Sequence, residues 1–116
     1  MIDEALRIED VGPASRYEAH LGGQLAGWVD YRRIGVPPRR RLVAIHTEVP
    51  AAFGGRGIGK ALVRRVIDDA RAAGERISPM CPLFATHFER HPEDADVLAP
   101  RRRARGEIAG EGKRGG

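Results

Sequence analysis

The sequence predicts an α/β (α+β) fold: a mixed, mainly antiparallel sheet of four to five strands carrying two helices. Two observations lead to it. Strand-like runs at residues 16–21 and 24–31 flank Gly22-Gly23, and a helical apolar period over residues 57–73 follows a buried strand and a glycine-rich turn.

Two adjacent glycines between short apolar runs signal a tight hairpin, because such turns need positive φ. Residues 32–41 hold Gly35, Pro37, Pro38 and five arginines, a composition that reads as a basic connection. Leu42 to Val49 reads as a buried strand that Pro50 ends. From Gly57 to Ala73 the residues Ile58, Leu62, Val63, Val66, Ile67 and Ala70 recur on one helical face, with Arg64, Asp68, Arg71 and Ala72 opposite. Gly74 stands where a C-terminal cap glycine is expected. Residues 77–81 return as a strand limited by Pro79, and Pro82 opens a second helix from Leu83 to His91 that Pro92 closes. Three strands, a helix, a strand and a helix result, after a short N-terminal segment.

Composition narrows the class. A chain of 116 residues suits one domain, and 41% hydrophobic with 31% charged residues suits folding in water. No apolar run approaches the roughly 20 residues of a spanning helix. The acidic start, Met1 to Arg7, is unlike a signal peptide, so a cytoplasmic location is expected. Cys81 is the single cysteine, which rules out an internal disulfide and a four-cysteine metal cluster. The net charge of +4 sits wholly in the tail: residues 1–100 hold 14 Lys or Arg against 14 Asp or Glu, and residues 101–116 hold 6 against 2. The domain is therefore expected over 1–100, and 101–116 as a disordered basic tail. Arg101 to Arg105 is the one feature that would suit nucleic acid or an acidic partner, through salt-sensitive contacts.

The sharpest local signal is Gly54-Gly55-Arg56-Gly57-Ile58-Gly59-Lys60, placed between a strand and an amphipathic helix. Glycines let main-chain amides approach a phosphate, and the helix start adds unpaired N–H groups and a positive dipole end. Arg56 and Lys60 add charge. The other reading is a plain flexible turn, but four glycines in six residues exceed what a turn needs. Gly54-x-x-x-x-Gly59-Lys60 also matches most of a P-loop, yet Ala61 stands where a hydroxyl should hold magnesium, which argues against a nucleotide triphosphatase.

His46-Thr47-Glu48-Val49-Pro50, Gly55-Arg56-Gly57-Ile58-Gly59-Lys60, Pro79-Met80-Cys81-Pro82 and His91-Pro92-Glu93, in that order over roughly residues 15–98, resemble a short branch of the GNAT superfamily of acyl-CoA N-acyltransferases. The resemblance implies acetyl-CoA as cosubstrate, its pyrophosphate on Gly54 to Lys60 and its pantetheine beside the preceding strand up to Val49. Gly54 occupies a loop position where the family usually has a long polar side chain. The same resemblance implies that His46 and Cys81 carry the chemistry, and that the acceptor cleft is open because the Gly22-Gly23 hairpin leaves no room for inserted helices.

The residues have readings of their own. His46 and Glu48, two apart on a strand, share a face, and histidine is the readier base near neutral pH. Alternatively they are a satisfied histidine and a solvated glutamate. Cys81 before Pro82 begins a helix, where the dipole favours thiolate, or it is a small core residue. If active, it is an acyl carrier or the acid that protonates departing CoA. His87 and His91, with Cys81 and His46, make four candidate zinc ligands, but the metalloprotease pattern needs Glu directly after the first His, and no metal is expected. The expected function is N-acetyl transfer from acetyl-CoA to an amine acceptor the sequence does not name. A non-catalytic acyl-CoA-binding module and a basic-tailed nucleic-acid-binding adaptor are the alternatives.

Overall fold

A computed structural model describes residues 5–100 of the chain. The expected tail of residues 101–116 lies outside the described residues. Five strands form one sheet in chain order: β1 Leu6–Val11, β2 Arg16–Leu21, β3 Gln24–Ile34, β4 Arg41–Glu48 and β5 Arg76–Pro79. The pairs from β1 to β4 are antiparallel, and β4 with β5 is parallel. Helices α1, Ile58–Ala73, and α2, Pro82–Arg90, follow β4 and β5. The mixed α+β fold with two α-helices is as expected, with short 3-10 turns at Gly12–Ala14, Ala51–Phe53 and Pro92–Val97 added in the connections.

Two stretches differ from the sequence expectation. The N-terminal segment is a strand, β1, although only Ile8 and Val11 are partly buried, so its apolar signal is faint. It is an edge strand held by the full ladder from Leu6↔Leu21 to Val11↔Arg16. Likewise β3 runs on to Ile34, through Arg32 and Arg33, which composition placed in a loop. Arg33 is drawn into structure because its Nε lies 3.0 Å from a carboxylate oxygen of buried Glu75, just past α1, and Arg40 bonds the same group at 2.6 Å. Those arginines therefore neutralise a carboxylate that burial would otherwise penalise.

The Gly22-Gly23 hairpin is present, with φ of 59° and 83°, which suits the tight two-residue turn. Alternation then places Tyr17, Ala19, Val29, Tyr31, Leu42 and Ala44 on one sheet face, all buried. Against this face α1 lays Ile58, Leu62, Val63, Val66, Ile67 and Ala70, and α2 adds Phe84 and Phe88. Burying each of the larger aliphatic side chains contributes roughly 1.5–3 kcal/mol. Tyr17 ties β2 to α1 by donating to Asp69 at 2.9 Å, and burial together with that bond raises its phenol well above the usual range. The opposite face carries Arg16, Glu18, Trp28, Asp30, His46 and Glu48, and neither α-helix packs on it.

The seating of α1 depends on a missing side chain. A Cβ at Gly27 would stand 3.0 Å from Ile58 Cγ2 and 3.1 Å from the Glu48 carbonyl oxygen, so only glycine lets the helix start lie this close to β3 and β4. We expect Gly27→Ala to lower stability by about 1–3 kcal/mol through overpacking. A urea-unfolding midpoint equal to that of the unaltered protein would contradict this packing.

Candidate functional site

The parallel ladder of β4 and β5 is short. It runs from Arg41↔Arg76 to Ala44↔Pro79 and stops, while β4 continues through Ile45 to Glu48. Two local causes act at that point. Asp30 pairs with His46 but Tyr31 pairs with Ala44, so Ile45 is an extra residue that bulges and bends β4. On the other side the amides of Met80 and Cys81 both turn to the Ala44 carbonyl, at 3.0 and 2.9 Å, as the chain leaves for α2. Beyond Ala44 the two strands part.

The glycine loop begins where this gap ends. Gly54 is extended, Gly55 and Gly57 have φ of 78° and 77°, and Gly57 is the left-handed N-cap of α1 with no side-chain cap. Left- and right-handed residues in succession, as at Gly57 and Ile58, turn consecutive N–H groups to one side and form an anion-binding concavity. Cβ atoms built on Gly55 and Gly57 meet nothing within 4 Å, so the loop is not packed against on that side and its positive φ values, not crowding, call for glycine. Lys60 and Arg56 are exposed at the same place. Ile58, by contrast, is 2% exposed and anchors the helix in the core, leaving only its amide to the site. Gly59 has a packing duty, since its Cβ would lie 3.2 Å from Leu83 Cδ2 of α2 and 4.0 Å from Val49 Cγ2. Val49 thus points its side chain into the α1 packing and offers a ligand its backbone. The loop, the uncapped helix start and the two cationic side chains fit a pyrophosphate.

His46 and Cys81 stand on opposite sides of β4. His46 is 57% exposed on the helix-free face, and its Nε2 lies 2.9 Å from Glu48 Oε1, as two residues on one strand face allow. Thr47 points the other way, paired with buried Val29, and its Oγ1 is 3.2 Å from Cys81 Sγ. Cys81 itself is 3% exposed. It is the N-cap residue of α2, yet makes no side-chain cap bond: the thiol turns from its own helix start to Thr47, and Pro82 leaves the first turn one amide fewer. Cys81 thus begins α2, as expected from sequence, with a hydroxyl as the partner of its thiol. Thr47 joins the candidate site through this contact, and the period-two alternation beside His46 is the sequence signal that it faces the opposite side.

Comparisons with known proteins agree with this geometry. A profile for the GCN5-related N-acetyl-transferase family matches residues 16–97. The chain belongs to the GCN5-related N-acetyltransferase family. Membership makes it an acetyltransferase by family, and the match covers every element from β2 to the last 3-10 turn. A GCN5-like protein from Staphylococcus aureus shares the fold at TM-score 0.61 and 19% identity, over 91% of this chain and 98% of that one. A ribosomal-protein-alanine N-acetyltransferase from Brucella melitensis biovar Abortus 2308 aligns at TM-score 0.58 and 21% identity, over 77% of this chain but only 64% of its own length. No match was found among curated protein sequences. Among the described residues no helix is long and apolar enough to cross a membrane.

In this acetyltransferase the other two candidate ligands serve the fold. His87 Nε2 lies 2.8 Å from Asp94 Oδ2, and His91 stacks on His87 with ring centroids 4.3 Å apart while bonding Glu93 at 3.0 Å. Among the described residues no three His, Cys, Asp or Glu are grouped to hold a metal. Asp94 is buried and also accepts from Arg64 at 2.6 Å and Arg71 at 3.0 Å, which binds the last 3-10 turn to α1. Burial alone would raise its carboxyl, but bonds from His87 and Arg71 and the charge of Arg64 outweigh it and hold it below its ordinary value. A depressed carboxyl contributes stability above the unfolded value of about 3.9, and that stability is lost as pH falls through the folded value. Urea unfolding from pH 6 down to pH 3 should therefore show a shallower acid loss in Asp94→Asn than in the unaltered protein. Parallel curves would contradict the assignment.

Proposed function

We propose that this protein transfers the acetyl group of acetyl-CoA to an amine. The observation that carries the proposal is the parting of β4 and β5 after Ala44, which leads straight into the open glycine loop at the start of α1. The pyrophosphate would be held by the amides from Gly55 to Lys60 with Arg56 and Lys60, and the pantetheine would lie along the unpaired edge of β4, from His46 to Val49. Acetyl-CoA supplies the activated thioester.

The two faces of β4 then divide the work. An amine approaching from the helix-free face has His46 beside it, with Glu48 holding the imidazole ring. As the amine nitrogen bonds to the carbonyl carbon and the carbon–sulfur bond breaks, His46 takes the amine proton and a proton passes to the CoA sulfur. Cys81, on the helix side and bonded to Thr47, would give that proton or carry the acetyl group for an instant as a thioester. An exchange confined to small metabolites and CoA suits the cytoplasm, where we place the protein.

CoA and acetyl-CoA should raise the thermal midpoint by mass action, because they bind only the folded chain. Gly57→Glu should abolish that shift, since it sets a negative charge on the loop that would hold the pyrophosphate, and φ of 77° suits glycine alone. An unchanged midpoint of the unaltered protein at saturating CoA would overturn the proposal.

A further inference from the structure

A cavity of about 710 Å³ lies along the outer edge of β5, bounded by α2 and by the strand-like residues 98–100 that continue from the last 3-10 turn. Its size suits a small molecule. The apolar part of its wall includes Met80, Phe88 and Leu98, and charge enters it from two side chains of opposite sign, Arg41 and Glu89. Arg41 donates only to the Ser78 hydroxyl, at 3.3 Å, and no described carboxylate neutralises it. Glu89 has no ion pair with a described residue. Met80, 70% exposed, stands at the end of the cavity where β4 and β5 part, one residue from Cys81.

The arrangement has a direction. Arg41 precedes Ala44 by three strand residues, about 10 Å. Glu89 follows Cys81 by eight helical residues, about 12 Å. Both charges line the one cavity, each set back along its own element from the point where β4 and β5 part. We infer that this cavity receives the acetyl acceptor, and that the acceptor is a diamino acid. Its terminal amine lies at Met80, its aliphatic stem runs along Met80, Phe88 and Leu98, and its α-carboxylate and α-ammonium meet Arg41 and Glu89. The inference rests on the acetyl-transfer reading for the terminal amine's fate: the new nitrogen–carbon bond replaces the carbon–sulfur bond of acetyl-CoA, the amine proton goes to His46, and CoA leaves as the thiol.

Three probes differ by one group each: lysine carries both distal charges, 6-aminohexanoate lacks the α-ammonium, and cadaverine lacks the carboxylate. With CoA present, lysine should shift the backbone amide resonances of Met80, Phe88 and Leu98. In acetyl transfer, kcat/KM for lysine should exceed that for each of the other two by about tenfold, the usual worth of one charge-assisted contact. Arg41→Gln should erase the preference over cadaverine and keep that over 6-aminohexanoate, and Glu89→Gln should do the reverse. Because each readout is a ratio within one variant, a general loss of stability does not imitate it. Equal ratios in the unaltered protein and both variants, or millimolar lysine leaving the cavity resonances unmoved, would overturn the inference even where CoA binds and other amines are acetylated. Failure of CoA to bind would instead remove the acetyl-transfer reading, and the lysine titration repeated without CoA would then decide the cavity by the same resonances.

Discussion

The structure depends on one interruption of hydrogen bonding. A parallel pair of strands satisfies its inner edges residue by residue, and here that stops after Ala44↔Pro79. Unpaired backbone groups inside a sheet are costly, so a sheet tolerates such a gap only where something else can pair with the free edge. The extra residue Ile45 bends β4 where the gap opens, and the Ala44 carbonyl closes its base by accepting from both Met80 and Cys81. An extended molecule rich in amides, such as pantetheine, is suited to the edge left open.

Everything that frames the gap is held by close packing. Gly27 lets Ile58 and Val49 seat the start of α1 against β3 and β4, while Gly59 lets Leu83 bring α2 up to the same turn. The glycine loop thus has two kinds of glycine. Gly55 and Gly57 face open space and serve conformation and access, whereas Gly59 faces a leucine and serves the contact of two helices. Asp94 and Glu75, each buried and each met by two arginines, secure the far ends of the helices without entering the gap. The buried ionisable groups that serve the fold are in this way kept apart from the proposed site.

Much of this was legible in the sequence. The apolar period of α1, its C-terminal Gly74 and the Gly22-Gly23 turn each impose a local geometry that tertiary contacts only reinforce. β1 was not legible, because an edge strand with mostly exposed residues has little apolar pattern and is defined by its ladder to β2. The extension of β3 was masked by Arg32 and Arg33, and the partner of Arg33, Glu75, is more than forty residues away in sequence. In the candidate site, the glycine turn at the start of α1 and the sharing of one strand face by His46 and Glu48 could be read from motif and strand position. The bulge at Ile45 and the bond from Thr47 to Cys81 are long-range events, set by how two strands meet, and residue types alone do not encode them.

The central claim is that the open edge of β4 and the loop leading into α1 form one continuous binding surface. Titrating the isotopically labelled protein with CoA while recording backbone amide resonances tests it most directly. The account predicts that residues 46–49 and 55–60 shift together, saturating at one common concentration, with β1 and the last turn of α1 unmoved. Shifts confined to the basic tail, or to the loop without the β4 edge, would contradict it.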